Sequence, residues 1–227
     1  MKIAASHKAA STLQQNIYNS INSLLNNDVI NFHRIRERFP EWFEEAIDVD
    51  IIVLRHPINR IISKYYSYGW THSTAHFNEQ SWKTRKDIQS QTLGDFATAN
   101  GRLYADKKTY DRIFDLYAIR NKIQNDEEKL TLIKYEDMMD NPRKFIALVL
   151  SKINKPILLD IIYEKFQHEF IFDGKDQSYD IINNEKIIHK RNLDHKEYLS
   201  KLNKEELEKI HKVLSSCIEQ YEMIKKL

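Results

Sequence analysis

The chain has 227 residues, 41% of them hydrophobic and 30% charged, which is enough for one sizeable α/β core; no apolar run approaches the roughly 20 residues of a membrane span. Lys and Arg number 35 against 33 Asp and Glu, a net charge of +2, which excludes a global field of the kind that draws nucleic acid and requires any anion site to be local. The single cysteine, Cys217, excludes a disulfide framework and a thiolate metal cluster and is itself expected in the core or half-buried; the whole fits a cytoplasmic chain.

Lys2 to Ala5 is a short apolar run that breaks at Ser6 to Lys8, after which Leu13, Ile17, Ile21, Leu24 and Leu25 recur at helical spacing, predicting strand, loop and helix. Val29 to His33 reads as a second short strand, followed by a polar, aromatic-studded helix over 36–47. Asp50 to Arg55 holds Ile51, Ile52, Val53 and Leu54 in succession, the pattern of a central parallel strand covered on both faces, and Pro57 opens another helix. From Ser67 to Lys108 the periodicity weakens among scattered glycines, histidines and tryptophans, and this stretch is expected to form a lid or insertion on the acceptor side. Helical spacing returns at Tyr110, Ile113, Phe114 and Tyr117, a β-type run covers Leu130 to Tyr135, and helices are expected over Pro142 to Ile153 and Leu158 to Phe166. Phe172 to Asn184 reads as polar and turn-like, and Leu207, Ile210, Val213, Leu214, Ile218 and Tyr221 mark one long closing helix. Alternating strands and helices predict a single α/β domain over 1–227, a central parallel sheet flanked by helices, with ligands bound beyond the carboxyl ends of its strands.

Two constellations follow strands. Ser6, His7, Lys8, Ala9, Ala10, Ser11 and Thr12 lie between the first strand and the first helix, where unpaired N–H groups, the helix dipole and small residues make a phosphate cradle in outline and Lys8 adds a full charge. The bland alternative is a helix closed by Ser11 or Thr12. The run has no glycine, so it is not a Walker A loop. The second constellation is Arg55, His56 and Pro57 followed by Arg60 and Ser63, in which an arginine at a strand end can fork onto a phosphate and a serine eight residues later can add a hydroxyl donor. Its bland reading is an arginine paired with a carboxylate and a serine packed in mid-helix.

The run Ile51 to Tyr66, IIVLRHPINRIISKYY, resembles the 3′-phosphate-binding segment of the sulfotransferases, with the Arg and Ser spacing of that family. The Lys8 loop stands where their 5′-phosphosulfate loop should be, with His7 in place of the usual proline and Ala10 in place of the usual glycine, and its small-Ser-Thr ending is most similar to the carbohydrate sulfotransferases. Leu130 to Phe145 resembles a family strand and turn whose tyrosine, here Tyr135, lies near the adenine, and Ile188 to Leu199 resembles the late loop that closes over the nucleotide, here with Lys190 and Arg191 and without the family's glycine. The resemblance implies a P-loop-kinase-like fold. It also implies transfer of a sulfuryl group from 3′-phosphoadenosine 5′-phosphosulfate to a hydroxyl of a carbohydrate or glycolipid, without a metal and with 3′-phosphoadenosine 5′-phosphate as product. Lys8 would then be catalytic and, with Ala9, Ala10, Ser11, Thr12, Arg55, Ser63, Tyr135, Lys190 and Arg191, would bind the donor.

The family commonly places a catalytic histidine on the strand before the arginine strand, which points to His33, 22 residues before Arg55, as the base; Glu37 is the carboxylate alternative. His72 and His76 are four apart but have no third metal ligand nearby in sequence. Trp70, His72, His76, Phe77, Trp82, Lys83, Arg85 and Lys86 form a mixture suited either to a glycan acceptor or to a solvated lid. Two other functions share these features: a P-loop nucleotide or small-molecule kinase, and a catalytically silent relative that only binds nucleotide or glycan.

Overall fold

A computed structural model of the chain describes residues 1–6, 8–35, 48–71, 85–122, 129–171, 179–182, 185–188 and 197–227. These form two compact units, the first comprising Met1–His56, Lys108–Ile171 and Cys217–Leu227, the second Pro57–Lys107 and Phe172–Ser216.

The first unit is built on a four-stranded, all-parallel sheet in the order β2-β1-β3-β4, with β1 at Lys2–Ser6, β2 at Asn31–Ile35, β3 at Ile51–Leu54 and β4 at Thr131–Lys134. Every residue of β3 is fully buried, as its unbroken apolar run requires of a central strand. Helix α1, Ser11–Leu25, buries Ile17 and Ile21 of the spacing read from the sequence, with Tyr18 beside them, while Leu13 and Leu25 are half-buried and Leu24 is exposed. The β1–α1–β2 unit lies to one side of β1, while β3 and β4 extend the sheet on the other, so the strand order reverses between β1 and β3. In open α/β sheets that reversal is where a crevice opens at the carboxyl edge.

Strand β2 begins two residues later than the sequence suggests. The Asn22 side chain holds both the N–H and the carbonyl of Ile30, at 2.9 and 2.8 Å, and Val29 N–H turns back onto the Asn27 carbonyl at 2.9 Å. The ladder starts only where Asn31 N–H meets the Met1 carbonyl, so His33 is the middle residue of the strand and not its last.

Helix α2, Pro57–Tyr66, starts at its proline and opens the second unit, where Arg60 and Lys64 share the carboxylate of Asp106, all three buried. The stretch expected to be irregular is largely helical among the described residues. A π-helical turn at Ser67–Thr71, a helical segment at 85–89, α3 at Leu93–Thr98 and α4 from Asn100 to Asn121 occupy it. Thr92 caps α3 by accepting from Asp95 N–H, and Phe96, Ala97 and Leu103 are buried behind it. Gly94 and Gly101 obscure this pattern in the sequence; Gly101 sits in the first turn of α4 with open space around it.

In the first unit, β4 ends at Lys134, and Tyr135 opens the short helix α5, Tyr135–Asp140. Helices α6, Pro142–Lys152, and α7, Leu159–Phe170, pack on one another, with Phe145, Ile146, Ile162 and Phe166 buried. The polar region expected to be turn-like after 172 contains an antiparallel pair, β5 at Tyr179–Ile182 and β6 at Glu185–Ile188. Helix α8 spans Glu197–Lys201, and α9, Lys204–Met223, is the expected closing helix; Cys217 on it is fully buried, its thiol 3.5 Å from Asp111 Oδ1. No helix among the described residues is long and apolar enough to cross a membrane.

Candidate functional site

The strand registers place three segments at one level. Ala5 pairs with Val53 and Val53 with Ile133, so Ser6, Leu54 and Lys134 end their strands side by side, and the Lys8 loop, Arg55 and Tyr135 emerge together from the carboxyl edge.

The Lys8 loop is a tight, strained connection. Ala9 N–H returns to the Ser6 carbonyl at 3.0 Å, and both Lys8 and Ala10 adopt positive φ, 72° and 51°. Ala10 is the residue at the helix N-cap, in the left-handed region, and no side chain caps α1; neither Ser11 nor Thr12 closes it. Gln14, fully buried, braces the loop from below by donating from Nε2 to the Ala9 carbonyl at 2.5 Å. The first turn of α1 carries no acidic residue, and Ser6, 1% exposed, has a hydroxyl without a hydrogen-bond partner. An uncapped helix start beside an unsatisfied buried hydroxyl fits an oxyanion that accepts from both.

Arg55 faces that loop across the β1/β3 reversal. Its Nη1 donates to the Lys8 carbonyl at 3.1 Å, its guanidinium carbon lies 4.8 Å from the centre of the Tyr135 ring, and its Nε has no partner. No carboxylate among the described residues forms an ion pair with it, so the carboxylate-paired alternative does not apply there. A guanidinium over an aromatic face, with a donor that no described residue takes up, is suited to a phosphate oxygen. Burial raises the Tyr135 phenol above its ordinary value, Arg55 partly opposes this and Glu136 adds to it, so the ring beneath Arg55 stays neutral.

The turn after β3 is held by residues that the sequence did not single out for the site. Tyr110 donates its hydroxyl to the Arg55 carbonyl, and Glu136 accepts from His56 N–H at 3.2 Å and from the Tyr221 hydroxyl. Burial, reinforced by Glu136, pushes the Tyr221 phenol well above its ordinary value and keeps it a donor. No local pattern marks a helical tyrosine as the partner of a carbonyl 55 residues away.

The other sequence candidates fare differently. His33 is half-buried on the edge strand, in register with Ala4 and therefore two residues, roughly 7 Å, behind the carboxyl edge. Its neighbours Phe32 and Arg34 meet Tyr18 and Gln15 of α1, so by the alternation of a strand His33 lies on the opposite face. Ser63 is half-buried on α2 in the second unit. Arg85, 2% exposed, donates from Nε to the Gly69 carbonyl at 3.0 Å and is an internal strut, whereas Lys86 is exposed. His7, Glu37, His72, His76, Phe77, Trp82, Lys83, Lys190 and Arg191, and the side chain of Trp70, lie outside the described residues. Comparison with known protein families and with curated proteins finds no match to this chain.

Proposed function

We propose that the chain is a sulfotransferase with a P-loop-kinase-like fold, taking the sulfuryl group of 3′-phosphoadenosine 5′-phosphosulfate to a hydroxyl of a carbohydrate or glycolipid. The observation that carries this reading is the meeting of Arg55 and the Lys8 loop at the strand-order reversal, with a helix start that no side chain caps on one side and, on the other, a guanidinium that pairs with no carboxylate among the described residues. A nucleotide phosphorylated at both its 3′ and 5′ positions calls for two anion sites on separate strands, and these two segments supply them. In this reading the N–H groups of Ala10 to Thr12 and the Lys8 ammonium hold the 5′ end, Ala9 shapes the loop through its bond to the Ser6 carbonyl, Arg55 holds the 3′-phosphate, and Tyr135 supports Arg55. Ser63, Lys190 and Arg191 enter it from the family resemblance alone.

In the transfer the acceptor oxygen forms a bond to sulfur as the bond from sulfur to the bridging phosphate oxygen breaks. The leaving electron pair stays on that bridging oxygen, where Lys8 offsets the charge, and the acceptor's proton passes to a base. His33 is the base that the resemblance proposes, with Glu37 as the alternative. The position of His33 behind the carboxyl edge favours a second reading, a relative that binds the nucleotide without turning it over. The kinase reading shares the strand, loop and helix opening and would be marked by magnesium dependence.

Arg55→Ala tests the assignment of the two phosphate sites. The variant should bind 3′-phosphoadenosine 5′-phosphate on the order of ten- to a hundredfold more weakly while adenosine 5′-monophosphate is little affected. Equal losses for the two ligands in calorimetric titration would contradict a 3′-phosphate role.

A further inference from the structure

Beyond Leu54 the sheet ladder stops, and the next backbone polar groups need partners. Three helices provide them. The Arg55 carbonyl accepts from the Tyr110 hydroxyl of α4, His56 N–H donates to Glu136 Oε1 of α5 at 3.2 Å, and the Tyr221 hydroxyl of α9, 3.4 Å from the Leu54 carbonyl, gives its single proton to Glu136 Oε2. Tyr221 thus reaches the turn through Glu136, whose other oxygen holds His56 N–H. Tyr110 and Tyr221 are 1% and 2% exposed, and the Tyr110 ring stacks on Phe114 with 6.2 Å between centroids, so neither hydroxyl can drift toward solvent.

We propose that Tyr110 and Tyr221, with Glu136 between Tyr221 and the turn, are positioning residues that fix the backbone of Arg55 and thereby aim its guanidinium at the bound anion. Among the described residues the side chain itself meets the Lys8 carbonyl and the Tyr135 ring. A rotation of the Arg55 peptide would move the guanidinium off both. Fixing the peptide beforehand removes an ordering cost that the ligand would otherwise bear.

This inference rests on the anion-binding reading of Arg55, and its test separates the two. Tyr110→Phe and Tyr221→Phe keep the rings and remove only the hydroxyls. Each should weaken binding of 3′-phosphoadenosine 5′-phosphate about fivefold, the scale of one hydrogen bond, with adenosine 5′-monophosphate unchanged. In the unliganded protein labelled with nitrogen-15 arginine, the Arg55 Nε–H resonance, assigned by its loss in Arg55→Lys, should shift or broaden in both variants. Wild-type affinity in both variants, or an unmoved Arg55 resonance, would overturn the clamp and leave the functional reading standing. If the wild-type chain does not bind the bisphosphate but the resonance still moves, the clamp stands and the functional reading falls.

Discussion

Ala10 holds a backbone conformation that its own Cβ opposes. It occupies the left-handed region at the start of α1, with φ 51° and ψ 39°, where an L-residue with a Cβ is strained by about 1 kcal/mol and glycine is not. Ala10→Gly should therefore raise stability by about 0.5–1 kcal/mol, which for a chain of this size is roughly 2 °C in Tm, measured by thermal unfolding. A lowered Tm would mean that the loop does not hold this conformation. At the same scale Lys8 and Arg55 were legible because charge, small neighbours and position after an apolar run coincide in each. Tyr110 and Tyr221 were not, since their role depends on hydroxyls that reach a carbonyl and a carboxylate far away in sequence.

At the scale of elements, legibility followed the strength of the local pattern. β3 was legible because four consecutive branched or leucine side chains leave little alternative to a buried strand, and α9 because its apolar stripe repeats over 20 residues. Its start is also marked by a capping box, in which Asn203 Oδ1 accepts from Glu206 N–H and Glu206 returns to Asn203 N–H. The two-residue shift of β2 was hidden because it is set by Asn22, a side chain on the preceding helix. The helices of the stretch after Ser67 were missed because glycines and polar residues interrupt the apolar spacing, while the features that fix them are a Thr92 cap and the strut from Arg85 to Gly69. The pair β5 and β6 does have a signal, two runs with isoleucines flanking Asn183-Asn184, but their charged residues mask it.

Across the whole molecule the tyrosines have a collective effect on stability. Burial lifts the phenols of Tyr18 and Tyr221 well above the ordinary value and those of Tyr65 and Tyr135 above it. Below about pH 10 both folded and unfolded chains keep these protons and stability is insensitive to them. As pH rises beyond that, the unfolded chain releases phenolic protons that the folded chain retains, so stability falls. Urea unfolding from pH 9 to 11.5 should show this decline, and Tyr18→Phe, which removes one such group, should make it shallower. Identical slopes for the two proteins would contradict the burial of Tyr18.

The claim on which the rest depends is that the β1/β3 edge of the first unit binds a nucleotide with phosphates at both 3′ and 5′ positions. Calorimetric titration of the wild-type chain with 3′-phosphoadenosine 5′-phosphate, ATP and adenosine 5′-monophosphate, without added magnesium, tests it most directly. Selective binding of the bisphosphate is the expected result; no binding, or a preference for ATP that appears once magnesium is supplied, would contradict it.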